Sequence, residues 1–242
     1  EKYYLDAIEI QERLVEKNAE AYEPDLATSY NNAGNFYAVH GQHEKAEKYY
    51  LAAIEIRERL VEKNADAYEM YLAGSYNNAG VFYKDQGQPD KAEKYYLAAI
   101  EIRACLVEKN ADAYEPDLAM SYNNAGNFYK KQGQPEKAEK YYLAAMEIYE
   151  RLVEKNADAY ESYLAGSYNN AGNFYKKQGQ PEKAEKYYLA AIGIYERLVK
   201  KNAAAFEPYL ASICFNYCFL KKDGTYLIKA YEIAKRRQDD PR

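Results

Sequence analysis

The sequence has 242 residues and a formal net charge of −5, which disfavours binding to nucleic acid because that function needs a basic surface. Its mean hydropathy is −0.74, and no apolar run approaches the roughly 18 residues of a membrane span, so we expect no membrane association. Its three cysteines lack the spacing of a disulfide framework, which favours a reducing, cytoplasmic location.

The sequence EKYY recurs through the chain with a period of 46 residues, beginning at Glu1, Glu47, Glu93, Glu139 and Glu185. A fixed period in this range is typical of stacked helical hairpins, each of which is completed by its neighbour. The chain opens in mid-helix without an initiator methionine, so we interpret it as a piece of a longer array.

In chain order, we predict an unpaired helix over residues 1–18 within a half repeat at 1–23, then four hairpins within an array that ends at 206. The hairpins are predicted near 24–63, 70–109, 116–155 and 162–201. Their first helices, called A helices, are expected near 24–40, 70–86, 116–132 and 162–178. Their second helices, called B helices, are expected near 43–63, 89–109, 135–155 and 181–201. Short acidic links separate the hairpins, and 207–242 is interpreted as a degenerate C-terminal capping hairpin and tail.

The segment 121–145 shows the packing pattern of one hairpin most clearly. Gly133 and Pro135 predict a turn, because glycine suits the end of one helix and proline the first turn of the next. Small residues and rings share one face of each helix, which lets the two helices approach closely. These residues are Tyr122, Ala125, Gly126 and Tyr129 on the A helix, and Ala138, Tyr142 and Ala145 on the B helix.

This pattern resembles the tetratricopeptide repeat (TPR) family, in its lengthened form similar to kinesin-light-chain-type and bacterial multi-TPR arrays. The resemblance implies an all-α solenoid in the form of a right-handed superhelix, and a non-catalytic scaffold for protein–protein interaction without a cofactor. HEAT and armadillo repeats share the period range but not these tyrosine, glycine and alanine offsets.

Polar residues that the hairpin contact does not use lie on another face of the A helices, which the family resemblance implies is the lining of a concave, peptide-binding groove. We expect the groove to bind an extended peptide or a partner helix. Amides offer donors and acceptors to such a ligand, and lysines favour an acidic one. The candidate groove residues are Asn31, Asn35, Asn77, Lys84, Asn123, Asn127, Lys130, Asn169, Asn173 and Lys176. A second set either shares the ligand or ties neighbouring A helices together: Asn32, Asn78, Asn124, Asn170, Lys131 and Lys177.

Two other functions remain as alternatives. Family members that clamp a chaperone's C-terminal carboxylate carry cations early in helix A, where this chain has Thr28, Gly74, Met120 and Gly166. That departure disfavours the clamp. The second alternative is a structural spacer or self-assembling array, natural or consensus-designed, without a dedicated ligand. The unpaired first helix would leave Tyr3, Ala7 and Ile8 as apolar surface, which favours end-to-end association.

The sequence offers little support for catalysis or metal binding, so we predict neither. His40 and His43 replace other residues in otherwise matching copies, which favours surface drift over a metal pair. Cys214 and Cys218 lie one helical turn apart without further ligands and are interpreted as small buried residues of the cap. The 30 tyrosines are interpreted mainly as packing residues whose hydroxyls reach the rim, with dedicated aromatic recognition as the alternative.

Overall fold

The computed structural model describes residues 2–221 and 224–239, with side chains up to residue 236. Over these ranges the fold is all-α, as the period predicted, and the described residues contain no strand. The helices are α1 (Lys2–Lys17), α2 (Ala19–Val39), α3 (His43–Lys63), α4 (Ala65–Asp85), α5 (Pro89–Lys109), α6 (Ala111–Lys131), α7 (Pro135–Lys155), α8 (Ala157–Lys177), α9 (Pro181–Lys201), α10 (Ala203–Lys221) and α11 (Gly224–Asp239). None of the helices described combines the length and the apolar character needed to cross a membrane.

The chain forms two compact units, Glu1–Ala125 and Gly126–Arg242, with the boundary inside α6. In the first unit each helix from α1 to α4 packs against the helix that follows it. In the second unit each helix from α7 to α10 packs against the helix that follows it. Each unit is therefore a series of helical hairpins, in which each helix completes the apolar face of its neighbour.

The turn between A and B helices follows the predicted chemistry. Gly133 has φ +68°, a left-handed conformation that glycine adopts without steric cost. The backbone N–H of Gln134 donates to the carbonyl of Tyr129 at 3.0 Å, and the N–H of Gly133 donates to the carbonyl of Lys130 at 3.4 Å. These two bonds form the C-terminal cap of α6, and Pro135 then begins α7. All four B helices span the predicted residues.

The predicted starts of the A helices are wrong by about one and a half turns. We placed them near residues 24, 70, 116 and 162, but the helices begin at Ala19, Ala65, Ala111 and Ala157. The side chain of Asn64 accepts a hydrogen bond from the N–H of Ala67 at 3.2 Å and caps α4, and Asn18, Asn110 and Asn156 have equivalent bonds. The predicted acidic links are thus first helical turns, and Pro24 and Pro116 lie inside helices.

The contact between paired helices depends on a glycine facing a tyrosine ring. A methyl group added at Gly126 would lie 2.8 Å from Cδ1 of Tyr142, which is 1% exposed. Ala138 and Ala145 of α7 are fully buried. The same close approach occurs between Gly34 and Tyr50, Gly80 and Tyr96, and Gly172 and Tyr188. This confirms the predicted packing face of the hairpin.

The two ends of the chain differ from their neighbouring repeats. In α1, Tyr3 is 88% exposed as predicted, whereas Ile8 is only 5% exposed, so the prediction that Ile8 leaves apolar surface is wrong. Ile8 is buried because α1 packs on α2. At the other end α10 and α11 form the last hairpin, and Cys214 and Cys218 are buried in it. Of the predicted tail, residues 240–242 lie outside the described part.

Candidate functional site

Amide side chains link neighbouring A helices in the first unit. Nδ2 of Asn78 donates to Oδ1 of Asn31 at 3.2 Å, and Nδ2 of Asn124 donates to Oδ1 of Asn77 at 2.9 Å. Asn31 and Asn77 are buried at 9% and 7% exposure. The placement of these two residues on an open groove face is therefore corrected: they lie between helices. Asn78 and Asn124 were predicted either to share the ligand or to tie neighbouring A helices together, and these bonds give them the second role.

A second group of amides positions tyrosine rings. The hydroxyl of Tyr142 donates to Oδ1 of Asn127 at 2.8 Å, and the hydroxyl of Tyr188 donates to Oδ1 of Asn173 at 2.8 Å. Tyr50 and Asn35 form the same bond at 2.7 Å. These rings are the ones that face the helix-A glycines, so each amide also supports the hairpin contact. The second hairpin has Val81 at this position and lacks the amide acceptor.

Most of the other candidate asparagines remain accessible to a ligand. Asn123, Asn127, Asn169, Asn170 and Asn173 are half-buried, whereas Asn32 and Asn35 are exposed. Nδ2 of Asn173 also donates to Oδ1 of Asn169 at 3.4 Å, one turn earlier on α8. In the second unit, therefore, Asn127, Asn169 and Asn173 lie on accessible surface of α6 and α8.

The candidate lysines differ between the two units. In the first unit, Nζ of Lys84 lies 3.3 Å from the carboxylate of Asp85. The positions equivalent to Asp85 are occupied by Lys131 and Lys177 in the second unit. There, Nζ of Lys130 donates to Oδ1 of Asn127 at 3.3 Å, and Nζ of Lys177 lies 3.5 Å from the carbonyl oxygen of Lys130. The ends of α6 and α8 thus bring lysines close together.

Lys176 is also held by the last hairpin. Its Nζ donates to the carbonyl oxygen of Asn216 at 3.2 Å and lies 5.6 Å from the centre of the Phe219 ring. Phe219 itself is 59% exposed. The aliphatic part of Lys176 is therefore ordered against α10, and the cation is half-buried at the edge of an exposed aromatic ring.

The tyrosines pack as predicted, with their hydroxyls at the rim. The hydroxyl of Tyr76 donates to Glu58 at 2.6 Å, and that of Tyr175 donates to Glu139 at 2.7 Å. Tyr175 also stacks on Tyr187 with ring centres 5.5 Å apart. Burial and the neighbouring carboxylates together raise the pKa of Tyr76 and Tyr175 well above the ordinary value. These rings are part of the helix contacts, which favours packing over aromatic recognition.

The sequence interpretation missed two buried arginines. Arg57 and Arg103 are 6% and 2% exposed on B helices, at a position that Tyr149 and Tyr195 occupy in later repeats. The sequence does contain a signal for these buried residues: the residue at this B-helix position and the residue 14 positions later change together from repeat to repeat. The paired residues along the chain are Gln11 with Asp25, Arg57 with Tyr71, Arg103 with Asp117, Tyr149 with Tyr163, and Tyr195 with Tyr209.

The segments predicted as short acidic links contain buried carboxylates. Glu23 is 7% exposed, and its carboxylate lies 2.7 Å from Nη2 of Arg59 and 3.6 Å from Nζ of Lys63. Glu161 has the same contact with Arg197 at 2.7 Å. These buried carboxylates are paired with cations and hold successive hairpins together.

The histidines and cysteines do not converge on a site. His40 and His43 are both exposed; the ring of His40 is 2.7 Å from the carbonyl of Phe36, and that of His43 is 2.9 Å from the Gln86 amide. In the described residues, no group of three or more histidine, cysteine or acidic side chains is arranged to hold a metal ion. Cys105 is exposed, and burial raises the pKa of Cys214 to about 11.

Comparison with solved structures identifies similar folds. The crystal structure of BtubC (BKLC) from P. vanneervenii is 22% identical, with a TM-score of 0.73, and the match covers 98% of this chain and 88% of that one. The apo form of RapI is 18% identical, with a TM-score of 0.72 and coverage of 97% and 77%. A putative kinesin light chain of Podosopora anserina with nearly identical TPR-like repeats is 17% identical, with a TM-score of 0.56 and coverage of 89% and 98%.

Family models extend the comparison to the sequence itself. No curated protein matches the sequence, but three models described as tetratricopeptide repeat match residues 26–64, 73–104 and 117–196. Together the matched residues span more than half of the chain and both units. The hairpins with their glycine–tyrosine contacts and the three matches lead to one conclusion: the chain belongs to the tetratricopeptide repeat family, whose members generally mediate protein–protein interaction.

Proposed function

We propose that the second unit binds an extended acidic peptide of a protein partner on a lysine–asparagine face formed by Asn127, Lys130, Asn173 and Lys176. The observation that carries the proposal is that equivalent positions of two successive A helices, α6 and α8, present the same amide and cation, all half-buried. A peptide in extended conformation meets such a periodic set of polar groups with its own periodic backbone groups.

The hydrogen bonds of the two amides support this role. Because Oδ1 of Asn127 and of Asn173 accepts from a buried tyrosine hydroxyl, the orientation of each amide is fixed. An amide held through its oxygen can offer its N–H groups to the carbonyl oxygens of a peptide. Such contacts are made to the peptide backbone and are therefore independent of peptide sequence. They are also neutral, so they would supply affinity at every ionic strength.

The charges favour an acidic ligand and favour the second unit over the first. Lys130 and Lys131 at the end of α6, and Lys176 and Lys177 at the end of α8, concentrate positive charge in a chain whose net charge is −5. In the first unit the corresponding positions are Lys84 with Asp85 and the uncharged Ala38 with Val39. An acidic peptide would therefore gain more electrostatic attraction on the second unit.

The proposal is tested by selecting peptides from a random display library on the immobilised protein. We expect enrichment of acidic peptides on the wild type and loss of that enrichment on the Lys130→Gln, Lys176→Gln double variant. The matched control is Lys137→Gln with Lys183→Gln, which removes the same charge from α7 and α9, where the two cations lie over the Tyr129 and Tyr175 rings at 4.7 and 4.8 Å.

The alternative is a structural spacer, and one observation favours it. Lysines in the last turn of a helix stabilise its C-terminus, and Lys130 and Lys176 both occupy a last turn. A purely structural role predicts that the double variant loses stability while no peptide is enriched on any variant. If acidic peptides are selected on the control but not on the double variant, the two lysines do not have a structural role alone.

A further inference from the structure

In the first unit, a cavity of about 270 Å³ lies among α2, α3 and α4. It is lined by Pro24, Asp25, Thr28, Arg57, Leu60, Ala67, Tyr68 and Tyr71. All of these residues lie outside the lysine–asparagine face, so the cavity does not depend on the function proposed for that face. The cavity combines apolar and aromatic walls with a buried guanidinium, which is the usual composition of a small-molecule site.

Arg57 is 6% exposed, and its protein contacts are all neutral. Nη1 donates to the carbonyl of Tyr71 at 2.9 Å and to Oγ of Ser75 at 2.5 Å, and Nη2 donates to Oγ1 of Thr28 at 3.2 Å. The guanidinium also lies 5.9 Å from the centre of the Tyr71 ring. No carboxylate of the described residues lies within ion-pair distance of it. Burial lowers the pKa of Arg57 to about 10, so the group is still a cation at neutral pH.

In the next repeat the equivalent arginine, Arg103, has a carboxylate as its counter-ion. Arg103 donates to the carbonyl of Asp117 at 2.9 Å and to Oγ of Ser121 at 2.5 Å, as Arg57 does with its own neighbours. The carboxylate of Asp117 also lies 3.9 Å from Nη2 of Arg103. At the position of Asp117 the first of these two repeats has Tyr71. The negative charge is thus replaced by a ring, and a cavity lies beside the cation.

A buried cation is costly unless an anion compensates it. A guanidinium has five N–H donors, and the three bonds of Arg57 leave one donor on Nε and one on Nη2. These two nitrogen atoms are the pair that a carboxylate contacts in the side-on bidentate arrangement. Thr28 and Tyr68 add hydroxyl groups to the cavity lining, and the volume accommodates a group of a few heavy atoms.

From these observations we propose that the cavity is a carboxylate-binding site, in which Arg57 takes the anion that Asp117 supplies to Arg103. The carboxylate belongs either to a small organic acid or to an acidic side chain of a peptide. Asp25 also lines the cavity and is exposed, with its carboxylate beyond ion-pair distance of Arg57. Its charge opposes an incoming anion, so it weakens binding without blocking the site.

The test follows the Nε–H resonance of Arg57 by NMR during titration at constant ionic strength. One arm uses sodium acetate, and the other uses acetyl-Ala-Glu-Ala-amide with acetyl-Ala-Gln-Ala-amide as its control. We expect a saturable shift for Arg57 and none for Arg103, which has its own carboxylate. A response to acetate alone assigns the site to small acids, and a response to the glutamate peptide assigns it to side chains. No saturable response in either arm, or equal responses to the glutamate and glutamine peptides, overturns the proposal.

Two variants separate binding from folding. Arg57→Tyr recreates the pair that later repeats use, in which Tyr149 stacks on Tyr163 with ring centres 5.8 Å apart, so it should fold. We expect it to lose the protection against thermal unfolding that bound carboxylate gives the wild type. Asp25→Asn should lower the apparent Kd by about threefold or more, because it removes the opposing charge. Unchanged carboxylate protection in Arg57→Tyr, or weaker binding in Asp25→Asn, contradicts the assignment.

Discussion

The ring of Tyr142 lies directly against the backbone of Gly126, so close that a methyl group on the glycine would be 2.8 Å from Cδ1 of the ring. Tyr142 is 1% exposed and its hydroxyl is held by Asn127, so the ring has no space to move away. This contact fixes how closely the A and B helices of a hairpin approach each other. It also explains why a helix interior tolerates a residue with poor helix propensity.

We expect Gly126→Ala to destabilise the protein by about 1–3 kcal/mol, because overpacking outweighs the gain in helix propensity. The matched control is Gly166→Ala in α8, where an added methyl group meets nothing within 4 Å. That change should stabilise by about 0.5–1 kcal/mol. Urea denaturation measures both. Equal effects of the two substitutions would show that the ring contact does not set the helix spacing.

The amide cap of an A helix should contribute measurably to stability. Asn64 accepts from the N–H of Ala67, so we expect Asn64→Ala to cost about 1 kcal/mol. Gln88 occupies the equivalent cap position of a B helix but makes no side-chain hydrogen bond there. Gln88→Ala should therefore be nearly neutral in the same denaturation experiment. A larger loss from Gln88→Ala than from Asn64→Ala would contradict this account of where the A helices begin.

The buried tyrosines predict loss of stability at alkaline pH. Burial raises the pKa of Tyr50, Tyr188 and Tyr195 from the ordinary 10.0 to about 12. Between pH 10 and about 12 the unfolded chain releases these protons while the folded chain keeps them. The stabilisation is therefore complete below pH 10 and is lost as the pH rises through this window.

The alkaline prediction is checked by urea unfolding at several pH values, together with tyrosinate absorbance of the folded protein. We expect the free energy of unfolding to fall in the window given above and the fall to be shallower in Tyr188→Phe. A folded protein in which every tyrosine titrates with the ordinary pKa of 10.0 is the opposite result, and it would mean that the rings are not buried as described.

The first helix is expected to mediate end-to-end association. Tyr3 is 88% and Ile10 51% exposed on α1, which has a partner helix in α2. Sedimentation of the wild type should show association that increases with concentration, because exposed apolar surface favours a partner. Tyr3→Lys with Ile10→Lys should remain monomeric. A wild type that stays monomeric at every concentration would contradict self-association through α1.

The repeat pattern predicted the hairpins well because the relevant contacts are local. Gly133 and Pro135 define a turn, and Gly126 and Tyr142 lie 16 residues apart in one hairpin. The starts of the A helices were wrong because Pro24 and Pro116 were interpreted as first helical residues. The signal for the true start was the asparagine before each alanine, which supplies a side-chain acceptor for the first turn.

The candidate site was predicted less well because its contacts join residues from different repeats. Periodicity placed Asn31 and Asn77 on one polar face, but it does not reveal that Asn78 and Asn124 bond to them. Arg57 was missed because the pattern of a single helix does not show that this residue lies between helices with neutral partners. Such contacts depend on how adjacent hairpins stack, and a single-helix pattern does not contain that information.

The most direct test of the central claim is titration calorimetry of one selected acidic peptide at about 0.1 M and about 1 M salt, where the Debye length falls from about 10 Å to about 3 Å. We expect the wild type to bind more weakly at high salt. The Lys130→Gln, Lys176→Gln variant should bind more weakly at low salt and lose less affinity as the salt rises. Its charge near the face is reduced to Lys131 and Lys177, and the neutral contacts of Asn127 and Asn173 supply a larger share of the binding. A double variant with the affinity and salt dependence of the wild type would contradict peptide binding on the lysine–asparagine face.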